Sequence, residues 1–137
     1  MIVLDTNIVL DLLLFSDPAT LPLKDALQSR QLRWIATLPM REELARVLAY
    51  PQIVPRLAHY QLSAGDVLAA FDRQADLVAV APKAAMRCQD PDDQKFIDLA
   101  LAHRAQLLSK DHAVLRLKKR LLALGVLAGK ALAPATP

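Results

Sequence analysis

Short apolar segments alternate with longer helical patterns along this sequence, and this alternation constrains the fold more than any other feature. Strands are predicted at residues 2–4, 32–37, 76–81 and 105–108, with a short last strand at 125–127. Strands that alternate with helices are joined by right-handed crossovers and form a sheet covered on both faces. The sequence therefore predicts an α/β three-layer sandwich with a central, mostly parallel sheet of four to five strands.

Capping and proline signals set the predicted helix boundaries. Ser63 and Asp66 form a capping-box pattern at the start of one helix, and Pro51 disfavours helical geometry in its predecessor. The predicted helices are 7–14, 23–29, one opening at Pro39 and ending before Pro51, 64–74, one beginning at Pro91, and a basic helix at 112–122. The length of 137 residues suits a single domain, predicted at 1–132, with a loose tail at 133–137.

Composition excludes several kinds of site. Cys88 is the single cysteine, so an internal disulfide or a thiolate metal cluster cannot form. No apolar run approaches the roughly 20 residues of a membrane-spanning helix, and the N-terminus lacks the basic region of a secretion signal. A cytoplasmic protein without a membrane segment is therefore predicted. The three glycines form neither a dinucleotide-binding nor a P-loop motif.

Positive charge is concentrated near the C-terminus. The net charge is +3, and Arg116, Lys118, Lys119 and Arg120 form a basic cluster in the last predicted helix. Such a cluster suits a polyanion, so these four residues are the predicted nucleic-acid-binding residues. A solvated helix face explains the same pattern and remains open.

Two aspartates follow predicted strands. Asp5 comes directly after the first strand, and Asp111 follows the strand at 105–108 through Ser109 and Lys110. Ligands of open α/β sheets bind beyond the carboxyl ends of the strands, so both side chains can border one crevice. Helix capping is the alternative explanation for each aspartate.

Two helices each direct one acid toward an apolar face. Glu43 shares a helical stripe with Met40 and Leu44, whereas Glu42 points about 100° away, where an ion pair with Arg46 would explain it. In the next such helix, Asp93 shares a stripe with three apolar residues, Phe96, Ile97 and Ala100. Asp93 also suits the first turn of that helix as a purely structural residue.

Four carboxylates at one site would repel one another unless a cation lay between them. Asp5, Glu43, Asp93 and Asp111 offer oxygen ligands only, which suits one or two Mg²⁺ or Mn²⁺ ions. The three histidines are widely spaced, which argues against zinc.

These residues resemble the PIN-domain family, in particular the ribonuclease toxins of prokaryotic toxin–antitoxin pairs. The resemblance spans nearly the whole chain and depends on four segments: Asp5-Thr6-Asn7, Glu43-Leu44, DPDDQKFIDLALA from Asp90 to Ala102, and LLSKD ending at Asp111. Ser109 stands where the family usually has threonine, and Ala113 stands where many relatives carry a further acid. The C-terminal tail matches poorly.

The resemblance implies a PIN-like, Rossmann-like fold and metal-dependent hydrolysis of RNA phosphodiester bonds. It assigns Asp5, Glu43, Asp93 and Asp111 to the catalytic and metal-binding quartet, with Glu43 either a ligand or the base that orients the attacking water. Asn7 and Ser109 match polar positions that support the quartet by hydrogen bonding, and Thr6 is structural. It also implies an RNA substrate, a cognate antitoxin protein and a homodimer.

Other functions fit the sequence less well. A phosphatase of the haloacid dehalogenase type needs a second aspartate where Asn7 stands, and a phosphoacceptor receiver needs an aspartate at the end of the third strand, which reads Ala81-Pro82. A catalytically inactive PIN-like module that binds RNA or a protein partner is the remaining alternative, and the intact quartet argues against it.

Overall fold

The computed structural model describes residues 1–132, so the predicted tail at 133–137 lies outside the described residues. Within them the chain forms one five-stranded, all-parallel sheet with flanking helices. The strands are β1 (Ile2–Leu4), β2 (Trp34–Ala36), β3 (Ala75–Leu77), β4 (Gln106–Leu108) and β5 (Ala128–Gly129). The α/β fold predicted from the alternating pattern is thus confirmed.

The strand order is β3-β2-β1-β4-β5. Ile2, Val3 and Leu4 of β1 pair with the three residues of β4, and β1 pairs with β2 on its other side. The chain therefore builds one half of the sheet, returns, and builds the other half. The order reverses between β1 and β4, and that is where open α/β sheets bind their ligands.

The helices are α1 (Thr6–Leu13), α2 (Leu21–Gln28), α3 (Leu38–Leu48), α4 (Val54–His59), α5 (Ala64–Gln74), α6 (Gln94–His103), α7 (His112–Leu115) and α8 (Lys118–Ala123). Helices α1, α3 and α5 contact one another, whereas α6 packs on β1 and β4. Because the crossovers are right-handed and run in opposite directions from the switch point, the two sets lie on opposite faces. None of the described helices is long and apolar enough to cross a membrane.

The core lies between the strands and both helix layers. Ile2, Val3, Ile35 and Leu107 have no exposed surface, as expected for parallel strands buried on both faces. Trp34 of β2 packs edge-to-face on Phe71 of α5, with ring centroids 5.1 Å apart. The central strands are therefore fixed from both sides, which gives the residues at their carboxyl ends a rigid base.

Two strand predictions were displaced. The third strand occupies Ala75–Leu77, not 76–81, because its neighbour β2 ends at Ala36 and leaves later residues, such as the exposed Val80, no part of β2 to pair with. The last strand is Ala128–Gly129, not 125–127. Gly125 adopts a positive φ of 87° and its N–H bonds to the carbonyl of Leu122, so this segment ends a helix instead.

The prediction of one continuous basic helix at 112–122 was wrong. The segment is divided into α7 and α8 near Leu117, which is 8% exposed and brings both short helices onto the core. No glycine or proline marks the break, so the sequence carries no local signal for it. The helix α4 was not predicted either, although Pro55 stands in its first turn, where proline is tolerated.

Other helix boundaries differ by one to three residues. Helix α1 begins at Thr6, one residue early, and α2 begins at Leu21 with Pro22 in its first turn. The helix predicted from Pro91 opens with a 3₁₀ turn, Pro91–Asp93, before α6.

Candidate metal centre

Asp5 occupies the junction between β1 and α1. Its backbone N–H donates to the carbonyl of Leu108 in β4 at 2.9 Å, which fixes it at the switch point. Asp5 is 4% exposed and stands at the N-cap position of α1, where only the nearby backbone N–H of Asn7 acts on its carboxylate. The fully buried hydroxyl of Ser109 donates to its Oδ2 at 2.5 Å, so Asp5 is held by more than the helix that it begins.

Asp111 lies just beyond β4 and has two roles. The backbone N–H of Asp111 donates to Ser109 Oγ at 3.0 Å, so one hydroxyl joins Asp5 to the loop that carries Asp111. Asp111 Oδ1 accepts from the N–H of Ala113 at 2.8 Å and caps α7. The capping explanation is therefore correct for Asp111, and the same side chain also belongs to the acidic group described next.

Asp93 completes a group of three acids. It ends the 3₁₀ turn before α6, and Asp90 caps that turn by accepting from the N–H of Asp92 at 3.0 Å. One carboxylate oxygen from each of Asp5, Asp93 and Asp111 lies within 4.8 Å of the others. The acidic triad, as these three residues are called below, is thus assembled from three segments far apart in sequence.

Burial and repulsion between carboxylates raise the pKa values of Asp93 and Asp5. Burial, then a hydrogen bond with Asp111 and the charge of Asp5, raise the pKa of Asp93 from 3.8 to about 8. Burial is also the main cause that raises the pKa of Asp5, with the charges of Asp111 and Glu43 adding to it, while Ser109 and the Asn7 backbone act in the opposite direction. Negative charge on these two acids is therefore unfavourable in the absence of a cation, and a bound cation would offset it.

Glu43 lies beside the triad without belonging to it. Its Oε2 accepts from the Thr6 hydroxyl, and its Oε1 forms an ion pair with Lys95 Nζ at 2.8 Å. Its charge contributes to the raised pKa of Asp5, which places it close to the centre. Both carboxylate oxygens thus have donors from this chain.

The helical phase predicted for α3 is observed. Met40 and Leu44 are buried and Glu43 is half-buried, whereas Glu42 is exposed. The surface ion pair predicted between Glu42 and Arg46 is absent from the described residues. Only one of the two adjacent glutamates therefore faces the centre.

The supporting and basic residues are placed as follows. The Asn7 side chain is exposed, and its influence on Asp5 comes from its backbone, not from the predicted side-chain hydrogen bond. Lys118, Lys119 and Arg120 are exposed on α8, and Arg116 donates a hydrogen bond to Gln89. No contact joins these four basic residues to the triad within residues 1–132.

Three residues near the centre were missed from the sequence. Thr6 was considered structural, yet it donates to Glu43, and Lys95, which was not among the predicted site residues, pairs with Glu43 across the site. Asp98 is 8% exposed and accepts from the Ala84 N–H at 2.9 Å, which anchors the loop before Asp93. These contacts join residues 14 to 52 apart, so helical spacing gave no signal for them.

The acidic triad fits a divalent cation. Asp93 Oδ2 is buried without a hydrogen-bond partner, which is costly for a carboxylate oxygen unless a positive charge meets it. All three donors are carboxylate oxygens, the ligands that Mg²⁺ and Mn²⁺ prefer. The three carboxylate donors and the unpaired oxygen of Asp93 therefore both indicate a site for a divalent cation.

Comparison with known proteins identifies the family. The family model described as PIN domain matches residues 1–113, which include all three acids of the triad and Glu43. No curated protein matches significantly, and no solved structure does. Because one family model covers most of the chain, and because the parallel α/β sheet agrees with it, the protein belongs to the PIN-domain family.

Proposed function

We propose that this protein is a metal-dependent endoribonuclease that hydrolyses RNA phosphodiester bonds and acts as the toxin of a toxin–antitoxin pair. Membership in the PIN-domain family supports a nuclease. The observation that carries the proposal is the acidic triad, with three carboxylate oxygens within 4.8 Å and one of them buried without a partner.

Each acid has a proposed role. Asp5, Asp93 and Asp111 would hold one or two Mg²⁺ or Mn²⁺ ions, which when bound would activate water and stabilise charge on the scissile phosphate. Ser109 fixes the orientation of the Asp5 carboxylate and of the Asp111 backbone. The Asp5 carboxylate is therefore already oriented before a metal ion binds.

Glu43 is proposed as the acid–base group that orients the attacking water. Thr6 and Lys95 donate to its two oxygens and keep it next to the triad, so it need not serve as a ligand. General acid–base groups act through such fixed positions within reach of the reacting water. The ammonium of Lys95 also brings positive charge to the edge of the site, where an RNA phosphate would lie.

The basic cluster is proposed to bind the RNA backbone. Lys118, Lys119 and Arg120 are exposed on α8, a few residues beyond Asp111 in the chain.

The toxin role, the antitoxin and a homodimer are proposed from family resemblance. Exposed apolar side chains such as Val80 and Leu122 would supply contact area for such partners.

The test is cleavage of a mixed RNA pool by the purified chain with Mn²⁺, with Mg²⁺, and with EDTA in place of either. The proposal expects internal cleavage with either metal and none with EDTA. A chain that binds RNA but never cleaves it under these conditions would be the inactive binding module, and the proposed activity would be wrong.

A further inference from the structure

Two buried aspartates, Asp11 and Asp98, lie outside the triad, and of the two only Asp11 forms an ion pair with a described residue. Asp11 is in the second half of α1, and its side chain is 11% exposed. Lys110 Nζ lies 2.5 Å from Asp11 Oδ2 and forms an ion pair with it. A buried carboxylate is retained at a cost, and it requires such a partner. The pair is therefore more than a chance surface contact.

Lys110 is the residue between the two site residues of the β4 loop. Ser109 holds Asp5, and Asp111 belongs to the triad, so the side chains on both sides of Lys110 face the centre. The side chain of Lys110 itself reaches α1 instead. Fixing Lys110 to α1 consequently fixes how the loop presents its two neighbours.

The ion pair connects the two sides of the centre. Two contacts hold this loop to segments that follow it in the chain: the Ser109 N–H donates to the Gly129 carbonyl at 3.0 Å, and Asp111 accepts from Ala113. On the other side, the Ser109 hydroxyl joins the loop to Asp5, and the ion pair adds a second link on that side. The contact from Lys110 joins the loop to the helix whose first residue, Thr6, directly follows Asp5. The pair also borders a small cavity of about 160 Å³ with mostly apolar walls, where an ionic contact is screened less than in water.

We propose that the Asp11–Lys110 ion pair is a positioning pair, which sets the placement of Asp111 relative to Asp5 for divalent-cation binding. The inference rests on the proposed metal-dependent function. It assigns to two residues outside the triad a role in metal affinity that is separate from fold stability.

The experiment measures Mn²⁺ affinity by titration calorimetry in Asp11→Asn, Lys110→Met, the double variant and Lys110→Arg. Lys110 is 45% exposed and methionine keeps its aliphatic stem, so Lys110→Met is expected to fold. Circular dichroism sets a temperature at which each variant is fully folded. Arg33→Met, which breaks the exposed Arg33–Asp76 pair at the other end of the sheet, is the matched control.

Each single variant is expected to weaken Mn²⁺ binding about three- to tenfold, less than the roughly 10–100-fold cost of losing a group bonded directly to a metal ligand. The double variant should be no weaker than the worse single one, since both remove the same contact. Lys110→Arg should retain most of the affinity, and Arg33→Met all of it.

Two results would overturn the inference, and they are distinguishable. If the wild-type chain binds Mn²⁺ and both single variants bind it equally well, the pair only stabilises the fold and the proposed function is unaffected. If the wild-type chain binds no Mn²⁺, the proposed metal-dependent function fails together with the inference.

Discussion

The carboxyl ends of the strands carry a group of acidic residues, whereas the amino ends carry a group of arginines. Beyond β1 and β4, two acids of the triad, Asp5 and Asp93, are buried, and one Asp93 oxygen has no partner among the described residues. A cavity of about 580 Å³ lies beside the amino ends of β2 and β3, and its lining includes Arg30, Arg33 and Arg73. There, Arg33 pairs with Asp76 at 2.7 Å, and both side chains are 56% exposed.

The comparison favours a buried carboxylate oxygen without a partner, rather than a large cavity, as the sign of a metal site. Helix α2 ends at Gln28 and α5 at Gln74, and helix C-termini attract cations, so Arg30 and Arg73 already have a structural explanation. The exposed pair of Arg33 and Asp76 is solvated and contributes little. No comparable contact within residues 1–132 satisfies Asp93 Oδ2. We therefore propose that the chemistry takes place at the carboxyl ends of the strands, where the acidic triad lies.

The largest expected effect on the cleavage rate comes from replacing one aspartate by asparagine at the carboxyl ends, and the same change at the amino ends is the control. Asp5→Asn should abolish metal-dependent RNA cleavage without unfolding the protein, because it removes a charge from the centre while preserving size. Asp76→Asn at the amino end should leave the rate unchanged. Cleavage rates at saturating Mn²⁺ and thermal melts of both variants test this contrast. Full activity in the Asp5 variant would exclude Asp5 from the site.

The two adjacent glutamates of α3 sharpen the comparison within one helix turn. Glu43→Gln should reduce the single-turnover cleavage rate at least roughly hundredfold, the usual loss for one positioned acid–base group. Glu42→Gln should leave that rate unchanged because its side chain is exposed. Equal rates, or a larger loss in the Glu42 variant, would remove Glu43 from the proposed mechanism.

The basic residues of the two ends should differ in RNA affinity. Neutralising Lys118 and Lys119 together should weaken RNA binding several-fold and flatten its salt dependence, since each phosphate contact releases counterions. The matched pair of changes, Arg30→Gln with Arg73→Gln, should alter neither quantity. Binding of a non-cleaved RNA in EDTA across a salt series measures both. Weaker binding only in the arginine variant would place the RNA path at the amino end.

Metal-free stability should depend on pH through Asp93. Its folded pKa of about 8 exceeds the ordinary 3.8, so between these values the folded state holds more protons and stability falls as pH rises. In EDTA, the melting temperature should decrease by a few degrees from pH 6 to pH 9, and Asp93→Asn should reduce that decrease. Asp76→Asn should keep it. A melting temperature that rises over this range would contradict the assignment.

Much of the fold and part of the site could be predicted from periodicity. Buried strands such as Ile2–Leu4 and the stripe of Met40 and Leu44 follow directly from local spacing, so the parallel sheet and the inward direction of Glu43 were predicted correctly. The break in the basic helix at Leu117 could not be predicted, because no glycine or proline marks it in the sequence.

Contacts across the site were equally beyond local reasoning. Lys95 has the spacing of a solvated helix residue, and its partner Glu43 lies 52 residues earlier. Asp11 likewise lies within an apolar helix with no nearby cation in sequence, and the fold brings Lys110 to it. Sequence spacing predicts which face a side chain occupies, whereas charge pairing depends on which elements the topology brings together.

Titration calorimetry with Mn²⁺ tests the central claim most directly, namely that Asp5, Asp93 and Asp111 hold a divalent cation. The wild-type chain, stripped of metal, should bind one or two Mn²⁺ ions, and Asp93→Asn should bind Mn²⁺ at least about tenfold more weakly, because metal sites depend on the charge and number of their ligands. The Asp76→Asn control should match the wild type. Binding that is equally strong in wild type and Asp93→Asn, or no binding by the wild-type chain, would contradict the account.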